Sequence, residues 1–126
     1  MSRSLSISDA EAVVMEVLWR RHPLSAEEVI AAVAAHSGWA APTVKTLLNR
    51  LLNKGAISAE REGRRYLYTP RVERAQWVQQ QSEGLLERVF GGRVAPLVAH
   101  FSERGKLTAQ DIAELKRLVR ELDDDN

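Results

Sequence analysis

The chain has 126 residues, 44% of them hydrophobic, with 18 Lys and Arg against 17 Asp and Glu, a net charge of +1 and no cysteine. That length allows one compact unit or two small ones with room for a core, and the lack of cysteine excludes disulfides, thiolate metal sites and cysteine nucleophiles. No apolar run approaches the roughly 18 residues of a bilayer span, and the opening MSRSLSISDAEAV has no hydrophobic signal region, so a cytoplasmic location without membrane insertion is expected.

Ser8-Asp9-Ala10-Glu11 reads as a capping box with Ile7 available to staple against Ala12, and Val14, Val17 and Leu18 follow at helical spacing. A first helix over about residues 9–21 is expected, broken at His22-Pro23 because the residue before proline avoids the α region. Ser25-Ala26-Glu27-Glu28 is a second capping box with a Leu24–Val29 staple. It opens a helix that should end near Ser37-Gly38.

Residues 42–55, PTVKTLLNRLLNKG, predict a helix with two unlike faces. Val44, Leu47, Leu48, Leu51 and Leu52 recur at i, i+3, i+4, i+7 and i+8, one aliphatic stripe facing a core. Thr46, Asn49, Arg50 and Asn53 lie roughly opposite, with Thr43 and Lys45 on the flanks; such amide, hydroxyl and guanidinium groups read base edges and phosphates in a major groove. Pro42 suits the first turn and Gly55 the left-handed stop. At 1.5 Å per residue the helix is about 20 Å long, enough to lie in a groove about 12 Å wide.

After Gly55 the pattern turns extended. Residues 57–60 and 65–69 flank a polar turn, Arg61-Glu62-Gly63-Arg64, and Pro70 closes the second strand, predicting a β-hairpin. Three helices and a hairpin, in that order, make a winged helix, whose hairpin tip reaches the DNA backbone or minor groove beside the recognition helix. Charge agrees: residues 1–75 carry 11 basic against 8 acidic residues, or +3, and residues 76–126 carry 7 against 9, or −2. Within residues 43–71 seven basic residues face only Glu60 and Glu62, or +5, the local footprint of a phosphate-contacting surface. Thr43, Thr46, Asn49 and Arg50 are the expected base-edge or groove contacts, and Lys45, Lys54, Arg64 and Arg65 the expected phosphate contacts.

Beyond Pro70 a long helix over about residues 73–89, a Gly91-Gly92 break, a short segment over 94–101 and a last helix are expected. The last begins at the cap Thr108-Ala109-Gln110-Asp111 with a Leu107–Ile112 staple and sets Ile112, Leu115, Leu118, Val119 and Leu122 on one side. Its tail, residues 123–126, reads as frayed. So small a segment offers its apolar stripes little intrachain material, and oligomerisation is a usual remedy. Leu85, Leu86, Val89, Leu97, Val98, Phe101, Ile112, Leu115, Leu118 and Val119 are therefore the expected dimerisation residues; a helical cap folded back on the N-terminal half is the alternative. The expected fold class is mainly α with a small β-hairpin: an N-terminal winged helix-turn-helix, residues 1–71, and a C-terminal helical dimerisation arm, residues 72–126.

His22, His36 and His100 have no metal-binding spacing, and no Ser/His/Asp set, phosphate-binding glycine loop or close carboxylate pair stands out. Neither an enzyme nor a metal or other cofactor is expected. Two further readings of the residues stay open. A ligand-responsive regulator would need an apolar pocket between the halves, which Trp39, Trp77 and Phe90 could line, and a winged helix can serve protein contacts without any DNA role.

With these residues in view, the chain resembles the penicillinase-repressor family of bacterial transcription regulators. The likeness lies in LSISDAEAVVMEVLW, TVKTLLNRLLNKGAI, GRRYLYTPRV and VFGGRVAPLVAHFSERGKLTAQDIAELKRLV, nearly the whole chain, and the last block is the most specific. The resemblance implies a homodimeric repressor on a palindromic operator that controls resistance or stress genes. It also implies release by proteolysis in the C-terminal arm after a membrane-bound sensor detects a β-lactam. In the best-known members the cut is at an Asn–Phe step; the matching step here is His100–Phe101, a departure at the first residue. A copper-responsive branch uses a cysteine cluster, which this chain lacks.

Overall fold

The computed structural model describes residues 6–125. Residues 1–5, which hold part of the opening segment read above, and Asn126 of the tail lie outside them. Two compact units are formed, one running to Gln80 and the other from Gln81.

The first unit starts with α1 (Asp9–Arg20), β1 (Leu24–Ser25), α2 (Ala26–Ser37) and α3 (Ala41–Lys54), followed by β2 (Ile57–Glu62) and β3 (Arg65–Pro70). Both capping boxes form as expected. The Glu11 N–H donates to Ser8 Oγ at 3.1 Å and the Ser8 N–H to Glu11 Oε1 at 2.8 Å; the corresponding Ser25–Glu28 bonds are 3.2 and 2.9 Å. Each box satisfies two N–H groups that the helix itself leaves open. At the end of α3, Gly55 takes φ 78° and turns the chain toward β2, a conformation that costs a residue with a Cβ about 1 kcal/mol or more.

The hairpin is one part of a three-stranded antiparallel sheet in the order β1-β3-β2. The unexpected strand is β1, whose Leu24 and Ser25 pair with Tyr68 and Leu67. Two residues carry no periodicity, so this strand exists only because β3 offers an edge beside it. Ser25 thus ends a strand and caps a helix at once, fixing the wing to the start of α2. The core is aliphatic: Val14, Met15, Leu18, Val29, Val33, Val44, Leu51 and Ala56 are fully buried, with Leu24, Leu47, Leu48 and Ile57 close to it.

The start of α4 (Arg74–Phe90) belongs to this unit. Trp19 Nε1 donates to the Val72 carbonyl at 2.7 Å, Trp77 packs on Trp19 with ring centroids 5.3 Å apart, and Arg74 Nε meets Glu16 Oε1 at 2.7 Å. The compact unit therefore extends past the 71/72 boundary expected from charge and pattern.

The second unit holds the rest of α4, α5 (Val94–Glu103) and α6 (Ala109–Asp124). Gly91 and Gly92, at φ 60° and 79°, make the expected break, and the Gly92 N–H returns to the Leu86 carbonyl at 3.0 Å. Thr108 and Asp111 form the third capping box. The tail, expected to fray, stays helical to Asp124. No residue of α4, α5 or α6 is buried, and among the described residues no helix is long and apolar enough to cross a membrane.

Candidate nucleic-acid interface

In α3, Val44, Leu47, Leu48 and Leu51 are buried and Leu52 lies at the stripe's half-buried edge. These residues anchor the helix, and the opposite face is open. Thr43, Lys45, Thr46, Asn49, Arg50 and Asn53 are all exposed. The Thr46 hydroxyl donates back to the Pro42 carbonyl at 3.0 Å, which leaves its lone pairs and methyl group for an incoming base. Among the described residues Asn49 and Arg50 have no hydrogen-bond or ion-pair partner, so the bidentate fork each could offer a base edge is free.

Lys54, expected to contact phosphate, has its Nζ donating to the Ser6 carbonyl at 2.7 Å and held by the Glu11 carboxylate. Glu11 is only 1% exposed. A carboxylate taken from water needs a compensating cation, and the last turn of α3 supplies it. Burial pushes the Glu11 carboxyl up, but the hydrogen bond from Lys54 and those from the Ser8 backbone and hydroxyl outweigh it, leaving the group below its ordinary value. Lys54 therefore ties the last turn of α3 to the start of α1.

The wing is tighter than expected, with pairing to Glu62↔Arg65 and a two-residue loop of Gly63 and Arg64. Gly63 takes φ 64° there, as a short hairpin loop requires. Arg61 folds back to the Gly63 carbonyl at 3.1 Å, whereas Arg64 is exposed and has no ion pair among the described residues. Arg65 Nη2 stands 3.9 Å from Glu62 Oε1. It also lies close enough to Glu28 to help lower that carboxyl's pKa, after the larger effects of the Ser25 backbone N–H and hydroxyl.

Between wing and helices lies an open cleft of about 600 Å³. Lys45 of α3, Ser25, Ala26 and Glu27 at the start of α2, and Glu62, Arg64, Arg65, Tyr66 and Tyr68 of the wing line it. Three of the four expected phosphate contacts thus converge. Sequence reasoning passed over Tyr66 and Tyr68, although their i, i+2 spacing puts both on one face of the hairpin; Tyr66 is 51% exposed.

In the second unit the expected dimerisation residues stay accessible within the single chain. Leu85, Val89, Phe101, Ile112, Leu118 and Val119 are exposed, and Leu86, Leu97, Val98 and Leu115 are half-buried. On α6, Ile112, Leu115 and Val119 join Leu107 in an apolar groove edged by Lys116 and Arg120. His100 and Phe101 are exposed near the end of α5, their rings edge to face at 5.3 Å. Of the aromatics named for a ligand pocket, Trp39 and Trp77 pack against the first unit's core, and Phe90 lies 6.0 Å from the His100 ring.

The family model described as penicillinase repressor matches residues 7–121. The penicillinase repressor of Bacillus licheniformis is 34% identical over 121 residues, covering 96% of this chain and 94% of that protein. The methicillin resistance regulatory protein MecI of Staphylococcus aureus (strain N315) is 28% identical over 118 residues, covering 94% and 96%. Among solved structures, the DNA-binding domain of the repressor BlaI is similar at TM-score 0.54 and 39% identity, over 60% of this chain and 92% of that one. The monomeric form of Bacillus licheniformis BlaI in complex with the blaP half-operator matches over the same shares at TM-score 0.52 and 39% identity. With the family model spanning nearly the whole chain and the winged helix shared with BlaI, the chain belongs to the penicillinase repressor family.

Proposed function

We propose that this protein is a sequence-specific transcriptional repressor that acts in the cytoplasm as a homodimer on a palindromic operator, with the unit running to Gln80 as the DNA-binding domain and the unit from Gln81 as the dimerisation arm. The observation that carries the reading is α3, whose aliphatic stripe is buried while Thr43, Thr46, Asn49 and Arg50 face outward, Asn49 and Arg50 with no hydrogen-bond or ion-pair partner among the described residues. A relative at 39% identity was solved with its half-operator, which supports duplex DNA as the ligand. In the dimer the two α3 helices enter major grooves spaced by about one turn, roughly 34 Å, or a multiple of it. Lys45, Arg64 and Arg65 hold the backbone, and Asn49 and Arg50 read adenine and guanine. The names of the relatives support genes of β-lactam resistance as targets.

The apolar side chains left open on α4, α5 and α6 support a second copy of the chain as the partner in this unit. Release by a sensor-linked protease is the regulation that fits the family resemblance. The His100–Phe101 step lies within helical backbone, so a cut there requires the last turn of α5 to open first. Footprinting across the protein's own promoter tests the main reading: two protected half-sites on one face of the duplex are expected, and uniform or salt-insensitive protection would refute it. A nick in the arm on induction is the expected sign of the proteolytic route; release by a soluble small molecule with the chain intact would replace it.

A further inference from the structure

We propose that Glu62 limits how tightly the wing cleft holds a DNA backbone phosphate, by engaging Arg65 in the free protein where a phosphate engages it in the complex. This deepens the DNA-binding reading and rests on it. The cleft has the chemistry of a phosphodiester site: Lys45 approaches from α3, Arg64 and Arg65 from the wing, and the exposed Tyr66 phenol adds a neutral donor. Arginine recognises such oxygens with parallel donors and lysine as a point charge.

Into this cluster of cations the fold also places a carboxylate. Glu62 and Arg65 close the hairpin as a cross-strand pair, so the register of the wing, rather than chance rotamers, keeps them neighbours. Their side chains are 66% and 58% exposed and the N–O distance is 3.9 Å, a weak contact in high dielectric that an incoming phosphate can exchange. Glu27 lines the cleft as well but has no ion pair among the described residues, so its charge acts only through the general field.

The test uses the full chain, with two fluorescent duplexes of equal length, one from its own promoter and one of scrambled sequence, titrated at several salt concentrations. Glu62→Gln should tighten binding to both duplexes alike, by about two- to fivefold, as expected for an exposed charge pair. The salt slope should steepen by up to about one as Arg65 becomes fully available. Glu62→Ser, which removes the charge with a different shape, should do the same. In an Arg65→Gln background the gain from Glu62→Gln should nearly vanish. Unchanged or weaker binding by both Glu62 variants overturns the proposal, as does an equal gain with and without Arg65. If the unsubstituted protein shows no salt-dependent binding to either duplex, the DNA-binding reading falls and this one with it. If it binds but the Glu62 variants behave like it, only the role of Glu62 is lost.

Discussion

Replacing Lys54 by methionine keeps most of the side chain's length and removes its charge, leaving the Glu11 carboxylate buried without its cation. Losing one partner of a fully buried ion pair costs about 3–5 kcal/mol. The Lys54 side chain is 35% exposed, however, while that of Glu11 is 2% exposed, so water reaches one end of the pair and the expected loss falls to about 2–3 kcal/mol. The pH dependence separates this account from simple loss of packing. Because the folded protein holds Glu11 below its ordinary value of 4.5, the group's stabilisation is present above that pH and fades as pH falls through the folded value. In Lys54→Met burial still pushes the same carboxyl up while only the Ser8 hydrogen bonds remain to oppose it, so protonation relieves the variant more readily. Urea unfolding should therefore show the full deficit near pH 7 and less than about 1 kcal/mol near pH 4. Glu11→Gln with Lys54→Met, which retains a capping-box residue at position 11, should recover to within about 1 kcal/mol of the original protein. Its DNA-binding salt slope should also be unchanged if Glu11 keeps Lys54 from phosphate, as their ion pair predicts. A deficit independent of pH, or a slope reduced by about one in the double variant, would refute the reasoning.

The exposed face of α3 and the wing should divide their labour. Asn49→Ala or Arg50→Ala is expected to cost about 1–3 kcal/mol on the operator and to blur its preference over scrambled DNA. Arg64→Ala should weaken both sequences equally and lower the salt slope by about one; equal losses on both DNAs from all three changes would sink the distinction. On α6, Val119→Glu sets a charge on a side chain that is 56% exposed in the single chain. Sedimentation equilibrium should show the proposed dimer weakened by at least about tenfold, while a single winged helix still binds a half-site weakly. An unaltered dimer would place the interface elsewhere.

What could be read from the chain was local. Ser8, Ser25 and Thr108 each sit three residues before the carboxylate that completes the cap, and the stripe of α3 repeats within two turns, so near-neighbour chemistry announces the helices, the hairpin and the open face of Asn49 and Arg50. The sequence also placed Arg64 and Arg65 on the wing, because a turn is legible from Gly63 and its flanking strands. What only the tertiary structure decided lies between residues far apart in the chain. Leu24 and Ser25 became a strand because β3 lay beside them, and Lys45 met Tyr66 in one cleft because α3 packs under the wing. Lys54 looked identical in sequence to a phosphate-binding lysine, and the fold pairs it with a carboxylate 43 positions away. A buried charge draws its partner from whatever the fold brings near, and no local period encodes that choice.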